Sequence, residues 1–219
     1  MSGRNPAPRR SYGGRTAEER RAERRERLLG AGLELFGTQG YAATSIERLC
    51  SAASVSTRNF YEEFSGREEL LAALHLELNE RAHAALSEAV AEAAPEDLPT
   101  RVERIVSAYV RVTASDPRWA RISFVEVIGV SPELEALRLE WRERWADMIV
   151  ALADDAAARG EAVARDYRLT AISIIGAVNN LVHHWSARGQ DIPLDAITAE
   201  LTHLILAVTT TPDRRDAAR

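Results

Sequence analysis

The sequence predicts an all-α protein of nine helices with no sheet. No stretch of the 219 residues alternates convincingly between apolar and polar, while apolar residues recur at spacings of three and four. Ser, Thr or Asp stands where helices should start, followed by Glu three residues on or by Pro in the first turn, and Gly or Pro stands where they should stop. Hydrophobic residues make up 46% of the chain and charged residues 28%, as expected of a soluble globular protein with a proper core.

Residues 1–15, rich in Gly, Pro, Ser and Arg, are expected to be a disordered basic tail. The first helix starts at Thr16, with Glu19 placed to bond back, runs through Leu28, Leu29, Leu35 and Phe36, and stops at Gln39-Gly40. The second repeats the start signal with Thr44 and Glu47 and turns Ile46, Leu49 and Ala53 inward. After the turn Ala53-Ser54-Val55, the third helix starts at Ser56 and spans about nine residues, by the spacing of its signals. Val55 and Phe60 are spaced for a hydrophobic staple, and Phe60 and Phe64 share a face. The fourth, capped by Ser65 with Glu68 three later, carries Leu70, Leu71, Leu74 and Leu78 to about Ala94, where Pro95 ends it. At 1.5 Å per residue it spans roughly 40 Å, enough to leave one domain and enter another.

Pro99 opens a fifth helix with Val102, Ile105, Val106, Tyr109 and Val110 inward. Asp116-Pro117 opens a sixth with Trp119, Ile122, Val125 and Ile128 inward, and Ser131-Pro132 a seventh that ends at Gly160. The seventh carries the stripe Leu134, Leu137, Trp141, Trp145, Met148 and Leu152. The eighth, about 166–187, is apolar nearly all round from Ile172 to Val182, so more than one of its sides should be covered. The ninth, about 194–210, shows Ile197, Leu201, Leu204, Ile205 and Val208, and 211–219 is expected to be a disordered tail.

The net charge is -5, yet it is unevenly placed. All 28 basic residues are arginine, and residues 1–30 are strongly basic while the chain from residue 71 on is acidic. Whole-chain charge is therefore a poor guide to what the first part binds. One cysteine, Cys50, allows no internal disulfide. No apolar run is long enough for a membrane span and the first residues do not read as a secretory signal, so a cytoplasmic location is expected.

The segment SIERLCSAASVSTRNFYEEF, residues 45–64, reads as two short helices around a tight turn. Such a hairpin is common in helical proteins, but here the third helix turns Arg58, Asn59 and Tyr61 outward with Thr57 at its edge, residue types that contact base edges and phosphates. The helix starts at Thr44-Ser45 and Gly66-Arg67 offer free backbone N–H groups suited to phosphate. Glu62 and Glu63 fit this surface poorly. Glu62 is spaced to pair with Arg58 in the helix or, alternatively, to accept from a cytosine.

Residues 40–70, GYAATSIERLCSAASVSTRNFYEEFSGREEL, resemble the DNA-binding domain of the TetR (tetracycline-repressor-like) family. The matching features are Gly-aromatic, Thr-Ser before an apolar residue, small residues at the turn, Val-Ser, an apolar-Tyr pair, a Phe shortly after, and Ser followed by a basic residue, an acid and Leu. Ser54 departs from the usual turn glycine, and Gly66-Arg67 stands where Ser-Lys or similar is usual. The resemblance implies that Thr44, Ser45, Tyr61 and Arg67 grip phosphates and that Thr57, Arg58 and Asn59 meet bases or adjacent phosphates. The basic tail could either reach along the DNA or stay solvated.

Residues 117–190 also resemble the C-terminal domains of such regulators. The expected architecture is an N-terminal helix-turn-helix DNA-binding domain over 16–83, joined by the long fourth helix to a C-terminal ligand-binding and dimerisation domain over 84–210. The resemblance implies a homodimer; the unpaired apolar faces of the eighth and ninth helices and Gly176-Ala177 agree with dimerisation there, and a two-fold dimer would set two recognition helices on a palindromic operator of double-stranded DNA. Trp119, Phe124, Trp141, Trp145 and Met148 either line an apolar effector pocket or are plain core. Asn179 and His183, four apart, either add a polar spot to that pocket or are buried and satisfied. No nucleophile–base set, metal-ligand spacing or phosphate loop is visible, so neither catalysis nor a cofactor or metal is expected. The implied function is a dimeric repressor released from its operator by a small-molecule effector. The alternatives are a helical protein-interaction module and a small helical enzyme.

Overall fold

Thr16 caps helix α1 (Ala17–Gln39) in the computed structural model, which describes residues 16–189 and 191–211. The Thr16 hydroxyl accepts the Glu19 N–H at 3.1 Å, and the Glu19 carboxylate accepts the Thr16 N–H at 2.6 Å. Gly40 ends the helix at φ 93°, a conformation that suits glycine. Helix α2 (Ile46–Ala53) and helix α3 (Thr57–Glu63) form the hairpin, and Ser56 caps α3 by accepting the Asn59 N–H at 3.2 Å. Ser54 takes the left-handed conformation, φ 52° and ψ 47°, where a Cβ is unfavourable.

The long helix α4 (Arg67–Ala93) is followed by α5 (Leu98–Thr113), α6 (Pro117–Arg121), α7 (Pro132–Ala158), α8 (Arg168–Ala187) and α9 (Leu194–Thr210). The nine predicted helices are present, and no strand occurs among the described residues. Nor is any described helix long and apolar enough to cross a membrane. The expected tails over 1–15 and 212–219 lie outside the described residues.

Three local expectations need correction. Ser45, not Thr44, caps α2, accepting the Arg48 N–H at 3.3 Å. Gly66, not Ser65, begins α4, and Glu69 instead reaches back to the Ser65 N–H at 2.7 Å. The sixth helix does not run on to Ile128. After Arg121 it widens into a π-turn, Ile122–Glu126, closed by the Val127 N–H to the Ile122 carbonyl at 3.2 Å. The extra residue in that turn rotates the chain, so Val127 is fully buried while Val125 is 37% and Ile128 55% exposed.

The hydrophobic core is built in three parts along α4 and α5. The first joins α1, α2 and α3 to the first half of α4 through Leu28, Phe36, Leu49, Phe60, Phe64, Leu70 and Leu74. It also takes in Trp119, Ile122, Val127 and Leu134 from the later helices, so the α1–α3 unit shares its core with them. Gly37 permits this contact, because a Cβ there would lie 2.4 Å from the Arg118 Cβ. The second part gathers Ala82, Leu86, Ala108, Trp141, Trp145, Ala171 and Ile175, and the third joins α5, α8 and α9 through Val106, Val110, Trp185, Ile197 and Leu201.

Candidate functional site

Helix α3 has seven residues, too few to be stable by propensity, so packing holds it. Phe60 and Phe64 are fully buried beneath it, their rings 6.0 Å apart. The Glu63 side chain is 1% exposed and bonds Arg21 Nε at 3.1 Å and Arg24 Nη2 at 3.0 Å, both on α1. Arg25 stacks over Phe64 at 4.4 Å and donates to the Glu63 carbonyl at 3.3 Å, placing a cation at the helix C-terminus. Glu62 is half-exposed and lies 3.6 Å from both Arg24 and Arg58. The acids that fit the reading surface poorly therefore act on α1: Glu63 pins α3 to it, and Glu62 bridges the two helices.

This anchoring leaves the opposite side of α3 open. The Arg58 side chain is 89% exposed and Tyr61 is 56% exposed, with Thr57 exposed beside them and Asn59 half-buried. Ser45 is half-buried at the start of α2. Thr44 is buried, and its hydroxyl donates to the Gly40 carbonyl at 2.8 Å, so its side chain braces the loop and does not face solvent. Arg67 braces the same loop, donating to the carbonyls of Tyr41 (3.1 Å) and Thr44 and lying over the Tyr41 ring at 4.8 Å. Cys50 is buried, and burial pushes its thiol up, away from the reactive thiolate.

The second feature is a cavity of about 410 Å³ between α4, α5, α7 and α8, within the usual range for ligand pockets. Phe124, Trp141, Trp145, Met148, Asn179 and His183 line it. Trp119 does not. It is buried in the core shared with α1–α3, with Arg81 5.4 Å from its ring. The cause is the close crossing of α6 over α1 at Gly37, a tertiary contact that spacing alone does not reveal.

The lining also holds polar groups that sequence reasoning missed. Asn79 on α4 accepts from Trp145 Nε1 at 2.9 Å and donates to the His75 carbonyl at 2.8 Å. His75 is buried, with Nδ1 3.4 Å from Ser123 Oγ, and burial, with the Arg138 charge nearby, pushes its imidazole down to about 4. It is therefore neutral at pH 7. Tyr109 donates to Asn179 Oδ1 at 3.2 Å, and burial holds its hydroxyl protonated, well above the ordinary value. At the far end, Arg101 is held by Glu161 and by the Glu96 carbonyl at 2.8 Å. The available signal for His75 and Asn79 was their i, i+4 spacing inside the Leu71-Leu74-Leu78 stripe, which places polar groups on a buried face. Among the described residues no cluster of His, Cys, Asp and Glu could hold a metal.

The π-turn joins these two features. Ser123 and Phe124 line the cavity. Glu126, on the same turn, accepts the Tyr41 N–H at 2.7 Å and the Arg121 Nε at 2.9 Å, while Arg121 donates to the Thr38 carbonyl at 2.8 Å.

Two family models match. Bacterial regulatory proteins of the tetR family match over residues 28–74, and the tetracyclin repressor-like C-terminal domain over residues 92–209. The HTH-type transcriptional regulator EthR of Mycolicibacterium smegmatis is 27% identical over 150 residues, 68% of each chain. The regulator TcmR of Streptomyces glaucescens is 35% identical over 66 residues, 30% of this chain and 29% of TcmR. In fold, the fatty acid degradation regulator FadR from Bacillus halodurans superposes with a TM-score of 0.73 at 18% identity, covering 84% of this chain and 94% of that one. FadR from Bacillus subtilis, solved in complex with stearoyl-CoA, gives 0.72 at 18% identity, covering 83% and 97%. With both family models matched and the helix-turn-helix and cavity domains arranged as described, the chain belongs to the TetR family of transcriptional regulators.

Proposed function

We propose that the protein is a homodimeric repressor that reads a palindromic operator with α3 and releases it when an effector fills the cavity. The observation that carries this reading is the π-turn: the element that walls the cavity at Ser123 and Phe124 also supports the α1–α2 junction through Glu126 and Arg121. A ligand that shifts the turn shifts the base on which α2 and α3 stand, which is the differential coupling that allostery requires. Thr57, Arg58, Asn59 and Tyr61 contact the groove and its phosphates, while Ser45, the α2 N-terminus and the α4 N-terminus contact the backbone. Thr44 and Arg67 act by shaping the 41–44 loop.

Dimerisation is assigned to α8 and α9. Leu169 is 78% and Ile172 39% exposed on α8, and Ser173, Gly176 and Asn180 continue the same open face. No atom lies within 4 Å of a Cβ placed on Gly176, so a partner helix can approach there. Ala199, His203 and Ala207 extend the face on α9. A cytoplasmic location fits a DNA-binding regulator.

The test is fluorescence anisotropy on the DNA upstream of the protein's own gene, with dimer mass checked by sedimentation. Arg58→Ala should weaken specific binding roughly ten-fold or more and leave thermal stability unchanged, because the side chain is almost fully exposed. Unchanged affinity, or binding that ignores salt concentration, would refute the reading.

A further inference from the structure

The polar groups of the cavity are not spread evenly, and their placement narrows the effector. On α7, Arg138 and Arg142 are one turn apart and both line the cavity. The Arg138 side chain is only 16% exposed and is held by Glu135. Arg142, half-buried, has no hydrogen-bond or ion-pair partner among the described residues. Buried His75 and Ser123 line the same cavity, and Arg138 is close enough to His75 to act on its charge. Among the described residues, the only acid in the lining is Asp155, thirteen residues past Arg142 and so roughly 20 Å away along the helix axis. Between these ends lies an apolar lane made by Trp145, Ile149 and Leu152 of α7 facing Ala82 and Leu86 of α4 and Ile105 of α5. Arg101 at the far end is already saturated by Glu161, so it offers no second anion site. Ile128, which also lines the cavity, is 55% exposed, so the cavity reaches the surface at that edge.

We infer that the effector is a single-headed amphipathic carboxylate, its carboxylate held by Arg142 and Arg138 and its hydrocarbon chain laid along the Trp145–Leu152 lane. A planar guanidinium pairs with a carboxylate through two parallel hydrogen bonds, and a half-buried arginine with no protein partner meets that geometry at less desolvation cost than one in open water. A neutral ligand of the same shape leaves Arg142 unpaired in a narrowed, drier site, which gives the selectivity. This inference rests on the effector-responsive reading above and specifies its ligand.

The experiment uses the full chain, with dodecanoate, 1-dodecanol and dodecanoyl-coenzyme A as probes, read by displacement of an environment-sensitive dye and by release of operator DNA. Dodecanoate should bind at least ten-fold more tightly than dodecanol. Arg142→Ala should remove most of that preference, Arg142→Lys should restore part of it, and dodecanol should bind wild type and Arg142→Ala alike. Arg111→Ala, which deletes an exposed charge on α5, should leave the preference intact. Thermal melting without ligand confirms that each variant folds. Equal binding of acid and alcohol, an unaffected Arg142→Ala, or binding of the coenzyme A thioester without the free acid each overturns the carboxylate assignment. If dodecanol binds as tightly as dodecanoate, or the thioester binds in place of the free acid, and DNA is released, the carboxylate inference fails while the regulatory reading stands. If dodecanoate binds as described but DNA is never released, the regulatory reading fails instead.

Discussion

Glu63→Gln tests whether a buried carboxylate, not helix propensity, holds the recognition helix. Glutamine keeps the volume and one acceptor oxygen but removes the charge. Glu63 accepts from Arg21 Nε and Arg24 Nη2, with its own side chain 1% exposed. A hydrogen bond to a charged group contributes about 1.5–3 kcal/mol; the amide oxygen can keep one of the two bonds, while the NH2 that replaces the other oxygen faces an arginine donor, so one bond is lost. The Arg21 side chain is 65% exposed and can turn to water, which discounts its share. The expected loss is therefore about 1–2 kcal/mol. Urea unfolding followed by circular dichroism measures it, and hydrogen exchange locates it: the Phe60 and Phe64 amides should exchange faster, while those of α5 change little. Glu62→Gln is the contrast. Its contacts are 3.6 Å long and its side chain is 46% exposed, so it should stay within about 0.5 kcal/mol of wild type. If Glu63→Gln is as stable as wild type and α3 exchange is unchanged, the carboxylate is not what holds the helix.

Ser54→Gly should stabilise the protein by about 0.5–1 kcal/mol, because relief of the left-handed strain outweighs the added chain entropy; a lower urea midpoint would show that the Ser54 side chain compensates. Buried His75 has its folded pKa near 4, below the unfolded value. The unfolded chain thus binds the extra proton between those values, so the neutral imidazole's stabilisation is complete above about pH 6.5 and is lost as pH falls toward 4. At pH 5 the loss is roughly 2 kcal/mol. Wild type should accordingly lose more stability than His75→Gln between pH 7.5 and pH 5, and parallel curves would rule out the buried neutral histidine.

Local signals carried most of the fold. Thr16 with Glu19, Asp116-Pro117 and Ser131-Pro132 open helices as their chemistry requires, since capping and proline geometry act within one turn. The errors came where two equivalent caps stood side by side. Thr44 and Ser45 are interchangeable as sequence, and only burial of Thr44 against Gly40 chose between them. The π-turn was invisible because its wider hydrogen bond leaves no compositional mark, yet it moved Val125 and Ile128 outward and Val127 inward.

The outward side of α3 was legible because helical phase alone separates Arg58 and Tyr61 from Phe60 and Phe64. The partners of Glu63 were not, since Arg21 and Arg24 lie about forty residues earlier in the chain. The cavity was half legible. The Trp141, Trp145 and Met148 stripe follows the helix period, but a stripe reads the same whether it meets a neighbour or a void. By itself the sequence determined roughly where the helices lie and, the π-turn apart, most of which side of each is apolar, because those properties depend on neighbours within a few residues. Only the tertiary structure decided that Trp119 packs under α1 and not in the cavity, that His75 and Asn79 line it, and that Arg142 has no partner among the described residues. Those outcomes depend on how helices far apart in the chain cross, and backbone contacts such as Gly37 against Arg118 set the crossing.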